Sequence, residues 1–265
     1  MIDYHIHLER GPYDKEWLER FIKVGKSRGI EEFGIVEHLY IFTQAKDLLY
    51  QNDHVKKMQK RNINEYFSFL NKMKETYNIK IGLEVDYTEE YEHEIKTFVK
   101  DLPVDFLIGS VHYLDGWAFD LDKEWKGKDI EEVYKNYYKT LFKAAKSNIF
   151  DVLGHSGNIA YFGYKPKREV ENELVLEFYE KISKLDIVLE INSGGLYRPA
   201  GVVFPEKRWF KKIKGFDIDL TCSSDAHDPK NVGFAIKEDI IPTLKSVGYN
   251  QLVTFDRRQK AYKPI

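Results

Sequence analysis

A single cysteine, Cys222, stands in a chain of 265 residues. No intrachain disulfide can form, and a reducing compartment is the natural expectation. Long apolar runs are also absent. No stretch approaches the roughly 20 residues that a membrane span needs. The first residues, MIDYHIHLERG, carry an Asp and two His where a secretory leader needs an apolar core, so a soluble cytoplasmic protein is expected. Charge of one sign is lacking too: 41 Lys and Arg oppose 43 Asp and Glu, for a formal net charge of −2. That balance argues against a protein built to coat nucleic acid or an anionic membrane. No repeat, low-complexity tract or Pro/Gly/Ser linker interrupts the sequence, so residues 1–265 read as one domain. No G-x-G-x-x-G follows any apolar run, which removes support for dinucleotide binding.

What is present is a core-forming composition, 43% hydrophobic with 32% charged, in which short apolar runs alternate with amphipathic segments. Seven runs have the length and β-branched or aromatic content of buried strands: 2–8, 32–38, 79–86, 105–112, 150–155, 187–193 and 218–225. QLVTF at 251–255 is a candidate eighth. The clearest helix is predicted from Asp129, a suitable N-cap, to Ala145, with Val133, Tyr137, Tyr138 and Leu141 on its apolar face. A second carries Leu174, Val175, Phe178, Tyr179, Ile182 and Leu185. Weaker helical patterns cover 15–28, 64–77, 89–100, 206–214 and 232–247. Strand and helix alternating seven times imply a parallel sheet, either an open doubly wound sheet or a closed barrel.

The eight histidines decide between the two. Six of them lie at the ends of predicted strands: His5, His7, His38, His112, His155 and His227. Glu37, Glu84, Asp86, Asn192 and Asp225 end strands as well. A parallel barrel gathers all such ends at one mouth, whereas an open sheet spreads them along an edge, so the pattern favours the barrel. His5 and His7 are two apart and face the same side of a strand. Any one of these residues alone is compatible with an ordinary hydrogen-bonded core group. Together they point to metal. His54 and His93 sit in polar segments and read as solvent-exposed. Cys222 reads as a small buried residue rather than a ligand.

Six His and two carboxylates exceed one ion's coordination shell, so two or three divalent ions (Zn, Mn or Fe) are expected, with Glu84 as the bridging ligand. Such a cluster acidifies bridging water and binds phosphate oxygens, the equipment of phosphoester hydrolysis; amide or imide hydrolysis is the other use of such sites. In the loop NSGGLYRPAGVVFPE, Arg198 is a candidate phosphate ligand. In YLDGWAFD, Tyr113, Trp117 and Phe119 are candidate walls for a small leaving group.

At these residues the sequence resembles the PHP (polymerase and histidinol phosphatase) superfamily, and within it the monofunctional histidinol-phosphate phosphatases. DYHIH at 3–7, VEH at 36–38, GLEVD at 82–86, GSVHYLDGWAFD at 109–120, DVLGH at 151–155, EINSGGLYRP at 190–199 and SSDAH at 223–227 carry the likeness over nearly the whole chain. The resemblance implies a distorted (β/α)7 TIM-like barrel with a trinuclear metal centre. One ion would take His5, His7, Glu84 and Asp225, the second Glu84, His112 and His155, and the third His38 and His227 with a further ligand. Arg198 would bind the phosphate of a small phosphorylated substrate, L-histidinol phosphate. Asp225 and His227 are the catalytic candidates for protonating the leaving group, weak ones if they ligate metal, so the acid stays open. The departures are two. Tyr13 replaces a ligand-type residue of relatives, leaving Glu9 or Asp14 as substitute, with Glu9 preferred two residues beyond His7. GHSGN lacks the Asp that relatives place after the fifth-strand His. The competing readings are a nuclease or another phosphoesterase on the same barrel, an amidohydrolase, and a non-enzymatic metal-binding module. The oligomeric state is not readable.

Overall fold

The computed structural model describes residues 1–120 and 125–265. In chain order its elements are β1 (Ile2–Ile6), α1 (Lys15–Ser27), β2 (Glu32–Ile35), α2 (Asp53–Met58), α3 (Ile63–Lys74), β3 (Ile79–Asp86), α4 (Glu92–Val99), β4 (Phe106–Ser110), β5 (Tyr113–Leu114), β6 (Trp117–Ala118), α5 (Ile130–Lys146), β7 (Val152–Leu153), α6 (Arg168–Ile182), β8 (Val188–Asn192), α7 (Phe210–Gly215), β9 (Leu220–Ser223), α8 (Ile241–Ser246), β10 (Gln251–Asp256) and β11 (Gln259–Pro264). Short 3-10 turns intervene.

Seven strands form one parallel sheet in the order β1-β2-β3-β4-β7-β8-β9. They are the seven apolar runs of the sequence, buried on both faces as strands inside a helical shell must be. The sheet curls until its first and last strands meet. A parallel bridge joins Ile6 to Ala226: His7 N–H donates to Ala226 O at 2.9 Å, and Ala226 N–H donates to His5 O at 3.1 Å. Lower down, the buried Asp3 carboxylate takes Ser224 N–H and its hydroxyl at 2.8 and 2.5 Å. The result is a nearly closed barrel, the expected (β/α)7 architecture.

The helices follow from their patterns. In α5, Val133, Tyr134, Tyr137, Tyr138 and Leu141 are buried on one side. Asp129 caps it, accepting from Glu131 N at 3.0 Å and Glu132 N at 3.3 Å, so two of the otherwise orphaned first-turn amides are satisfied. In α6, Val175, Phe178, Tyr179 and Ile182 are buried and Leu174 reaches the core in part; Leu185, expected on the same helix, lies beyond its end at Ile182 and is partly buried from the turn that follows.

Four expectations need correction. QLVTF is not an eighth barrel strand. β10 pairs antiparallel with β11 and with no barrel strand. Arg257 and Arg258 connect them with both φ angles positive, a two-residue hairpin turn. The hairpin closes the N-terminal end of the barrel: Phe255 packs on Phe106 and Tyr4, and Arg258 pairs with Asp151 at 2.8 Å. The segment 232–247 becomes helical only from Ile236, because Gly233 and Ala235 lie at positive φ; it opens with one wide turn before α8. The segment 206–214 splits into a 3-10 turn, Lys207–Trp209, and α7. The segment 89–100 likewise opens as a 3-10 turn, Glu89–Tyr91, ahead of α4. Among the described residues no helix is long and apolar enough to cross a membrane.

Candidate metal centre

The parallel barrel brings the C-terminal strand ends to one mouth, and Glu84 stands at its centre. The residue is 1% exposed, inside the apolar run of β3. Five imidazoles surround its carboxylate. Oε2 lies 2.8 Å from His38 Nδ1, 3.3 Å from His5 Nε2 and 3.4 Å from His7 Nε2. Oε1 lies 2.9 Å from His155 Nε2 and 3.7 Å from His112 Nε2, and accepts from Ser110 Oγ at 2.7 Å. The His38 and His5 imidazoles outweigh the cost of burial and hold this carboxyl well below the usual range.

Asp225 and His227 close the ring from the segment after β9. Asp225 Oδ1 lies 3.2 Å from His227 Nε2, 3.8 Å from His7 Nε2 and 3.9 Å from His5 Nε2. Its Oδ2 pairs with Arg198 Nη1 at 2.8 Å. Arg198 and His5 together overcome burial and keep the Asp225 carboxyl well below its ordinary value. The rings of His7 and His227 stack in parallel with centroids 4.2 Å apart. Burial, reinforced by His227 and His38, pushes the His7 imidazole well down, toward the neutral form that a metal ligand requires.

Outer nitrogens are held by carboxylates. His5 Nδ1 meets Glu190 Oε1 at 2.7 Å, His112 Nδ1 meets Asp86 Oδ1 at 2.7 Å, and His227 Nδ1 meets Glu9 Oε1 at 2.9 Å. Each bond fixes a tautomer and aims the other nitrogen inward, as in metal sites whose outer partners orient the ligands. Asp86 outweighs burial and brings the His112 imidazole up to about 10.

The inner atoms argue for cations. His5 Nε2, His7 Nδ1 and His7 Nε2 are buried and make no hydrogen bond. One ligand atom from each of His5, His7 and Glu84 lies within 4.8 Å of the other two, and the same holds for Glu84, His112 and His155, and for His7, His38 and His227. A buried polar atom without a partner costs about 1–3 kcal/mol, so a set converging on shared points is a poor structural core and a good coordination shell. The donor set, imidazole with carboxylate, suits Zn, Mn or Fe.

Tyr13 and Asp14 stand apart from this ring. Asp14 is exposed and caps α1, accepting from Trp17 N at 2.8 Å. Tyr13 packs on Phe69 and beneath Arg61. Glu9 is the member of that stretch that reaches the cluster, and its Oε2 is buried and unbonded. Above the ring opens a cavity of about 640 Å³ lined among others by Arg10, Tyr40, Tyr113, Tyr161, Arg198 and Asp225. Of the three aromatics expected to wall it, only Tyr113 does so. Phe119 is fully buried against Tyr137, and Trp117 packs on Trp125. The hairpin β5–β6 explains this, since the left-handed Asp115 and Gly116 turn the chain back and tuck Phe119 under it. His93 is exposed as expected; His54 is exposed too, yet borders the cavity beside Tyr40. Cys222 is buried.

Two further carboxylates are buried beside the ring: Glu37, read from sequence only as a strand-end residue, and Glu190, not read as a site residue. Glu37 accepts from Leu8 N at 3.0 Å and lies 3.8 Å from His7 Nδ1. Glu190, fully buried on β8, ties His5 to Ser223 Oγ and to the His155 backbone N–H, both at 2.5 Å. Glu190→Gln is therefore expected to weaken metal binding by about 10–100-fold through His5, measured by competition with a chromogenic chelator. Unchanged affinity would rule that role out.

Fold and site define a class: a parallel α/β barrel with a histidine–carboxylate cluster able to hold metal at its C-terminal mouth. The chain belongs to the PHP domain family, whose model matches residues 3–194. It is 29% identical over 185 residues to a probable histidinol-phosphatase of Deinococcus radiodurans, covering 69% of each chain. Similarity to the histidinol-phosphatase of Lactococcus lactis is 25% identity over 279 residues, covering 99% of this chain and 98% of that one. The Bacillus subtilis histidinol-phosphatase is 28% identical over 270 residues, covering 88% and 96%. Among solved structures, a histidinol phosphate phosphatase from Lactococcus lactis, complexed with zinc, L-histidinol and phosphate, superposes with a TM-score of 0.77 at 23% identity over 98% of both chains.

Proposed function

We propose that the chain, acting as one unit over residues 1–265, is a metal-dependent phosphomonoesterase that hydrolyses L-histidinol phosphate to L-histidinol and phosphate, a step of histidine biosynthesis. The observation that carries the reading is the buried Glu84 carboxylate within 4 Å of five imidazoles, with Arg198 at the open side. His5, His7, Glu84 and Asp225 would hold one divalent ion, Glu84, His112 and His155 a second, and His38, His227 and Glu9 a third. Bound there, such ions supply Lewis acidity and acidify water enough for attack on phosphorus at neutral pH.

The chain's own residues do the rest. Arg198 offers a planar, permanently charged donor set to the phosphate oxygens and balances the charge that builds on them. Asp225 and His227 face the same space and fix where the phosphate stands relative to the ring. Tyr113 lines the cavity where the leaving group would lie. Full-length relatives are named histidinol-phosphatases, and one solved relative holds L-histidinol with phosphate, which supports this substrate. A net charge of −2 disfavours long nucleic acid as the alternative substrate. Comparing kcat/KM for L-histidinol phosphate, nucleoside monophosphates and single-stranded DNA tests the assignment. A preference of about a hundredfold or more for histidinol phosphate is expected; equal or faster cleavage of DNA would overturn it.

A further inference from the structure

Asp225 sits at φ 54°, in the left-handed region that side-chain-bearing residues seldom enter. Its neighbours are anchored to β1: Ser224 N–H and hydroxyl bond to Asp3, and Ala226 exchanges backbone bonds with His5 and His7. The carbonyl of Asp225 itself is met from the other side, by Tyr197. The Tyr197 hydroxyl lies 2.6 Å from Ser224 O and 2.8 Å from Asp225 O. Successive carbonyls of an extended strand point in opposite directions. Here the left-handed turn brings both toward one hydroxyl, which can donate to either.

The loop that carries Tyr197 is built onto this turn. A side chain at Gly194 would put its first carbon 2.8 Å from Asn192 Oδ1, 3.0 Å from Asp225 Cβ and 3.1 Å from Ser224 O, so the loop meets the turn closely at a position that lacks a Cβ. Asn192 Nδ2 donates to Asp225 Oδ2 at 3.3 Å, and Arg198 pairs with the same oxygen. Oδ2 is thus occupied from the end of β8 and the loop that follows it, and Oδ1 is the oxygen turned to His5, His7 and His227. Asn192 and Arg198 grip the side chain; Tyr197 grips the backbone.

We propose that Tyr197 is a positioning residue of the metal centre: by holding the carbonyls of Ser224 and Asp225, it keeps Asp225 in the left-handed turn that aims Oδ1 at the ligand ring. This rests on the reading that the ring binds divalent ions, and says nothing of the substrate. The test is zinc titration of chelator-stripped protein against a competing chromogenic chelator, for the parent, Tyr197→Phe, Asp225→Ala and the double variant. Tyr197→Phe is expected to weaken zinc binding about tenfold, the size of effect that outer partners of ligands have. In the Asp225→Ala background the same change is expected to shift affinity less than twofold, because the carboxylate it positions is gone. A Tyr197→Phe protein that binds zinc like the parent would overturn the proposal. So would an equal loss in both backgrounds, the mark of a loop loosened in general. If the parent takes up no zinc, the metal reading itself fails, before any variant is compared.

Discussion

Glu84→Gln is expected to lower phosphomonoesterase activity by roughly three orders of magnitude. The carboxylate is the only anionic group within 4 Å of all five surrounding imidazoles among the described residues. Glutamine keeps the volume and one acceptor oxygen but removes the charge that would offset two cations. Its amide nitrogen would also point a donor at nitrogens that must themselves face a metal. Steady-state phosphate release measures the first consequence. A second readout is thermal stability: at zinc concentrations 100 times the dissociation constant, the parent should gain about 2.7 kcal/mol from binding, and the variant much less. A Glu84→Gln protein with parental activity and parental stabilisation by zinc would remove Glu84 from the centre of the account.

Arg198→Ala is expected to raise KM for the phosphate ester and to weaken product phosphate inhibition by the same factor, about 10–100-fold. A hydrogen bond to a charged group contributes about 1.5–3 kcal/mol, and each 1.4 kcal/mol is a factor of ten. A fall in kcat should accompany it, since the charge on the phosphate oxygens grows as the bond to the leaving group breaks. Arg198→Lys should recover only part of the loss, because a point charge does not reproduce the planar fork. The structure adds a reason to test phosphate inhibition directly. Arg198 is paired with Asp225 Oδ2, so an incoming phosphate must share the guanidinium with a carboxylate of the ring. Alanine at 198 leaving phosphate inhibition unchanged would place phosphate recognition elsewhere, with Arg10 the other cavity arginine.

Most of the barrel is legible in the sequence, because a strand buried on both faces has to be a short apolar run and a crossover has to be an amphipathic helix. The seven runs became the seven strands for that reason. QLVTF misled because an apolar run does not disclose its partner. Its hairpin turns through Arg257–Arg258, which lack the Gly or Asn that usually marks such a turn. The Asp115–Gly116 turn does carry that mark, and it predicts the tucked position of Phe119 better than the aromatic content of the loop.

The inner residues were legible by position, since polar groups at strand ends meet at one mouth. The outer partners were harder. Glu190 in IVLEIN repeats the setting of Glu84 in IGLEVD: one carboxylate inside a strand that is otherwise apolar. Burying such a charge is costly without a partner, so the pattern alone marks Glu190 as part of a network. Tyr197 and Asp3 leave no such trace, because their parts depend on the left-handed backbone of Asp225, which no local sequence pattern marks.

The central claim is that the strand-end ring holds a multinuclear metal centre on which phosphoester hydrolysis depends. Elemental analysis of the purified protein, repeated after chelation and after readdition of Zn, Mn or Fe, with hydrolysis of L-histidinol phosphate followed at each stage, tests it most directly. The account predicts two or three ions per chain, loss of activity on their removal and recovery as they return. Full activity in chelated protein carrying no metal would contradict it.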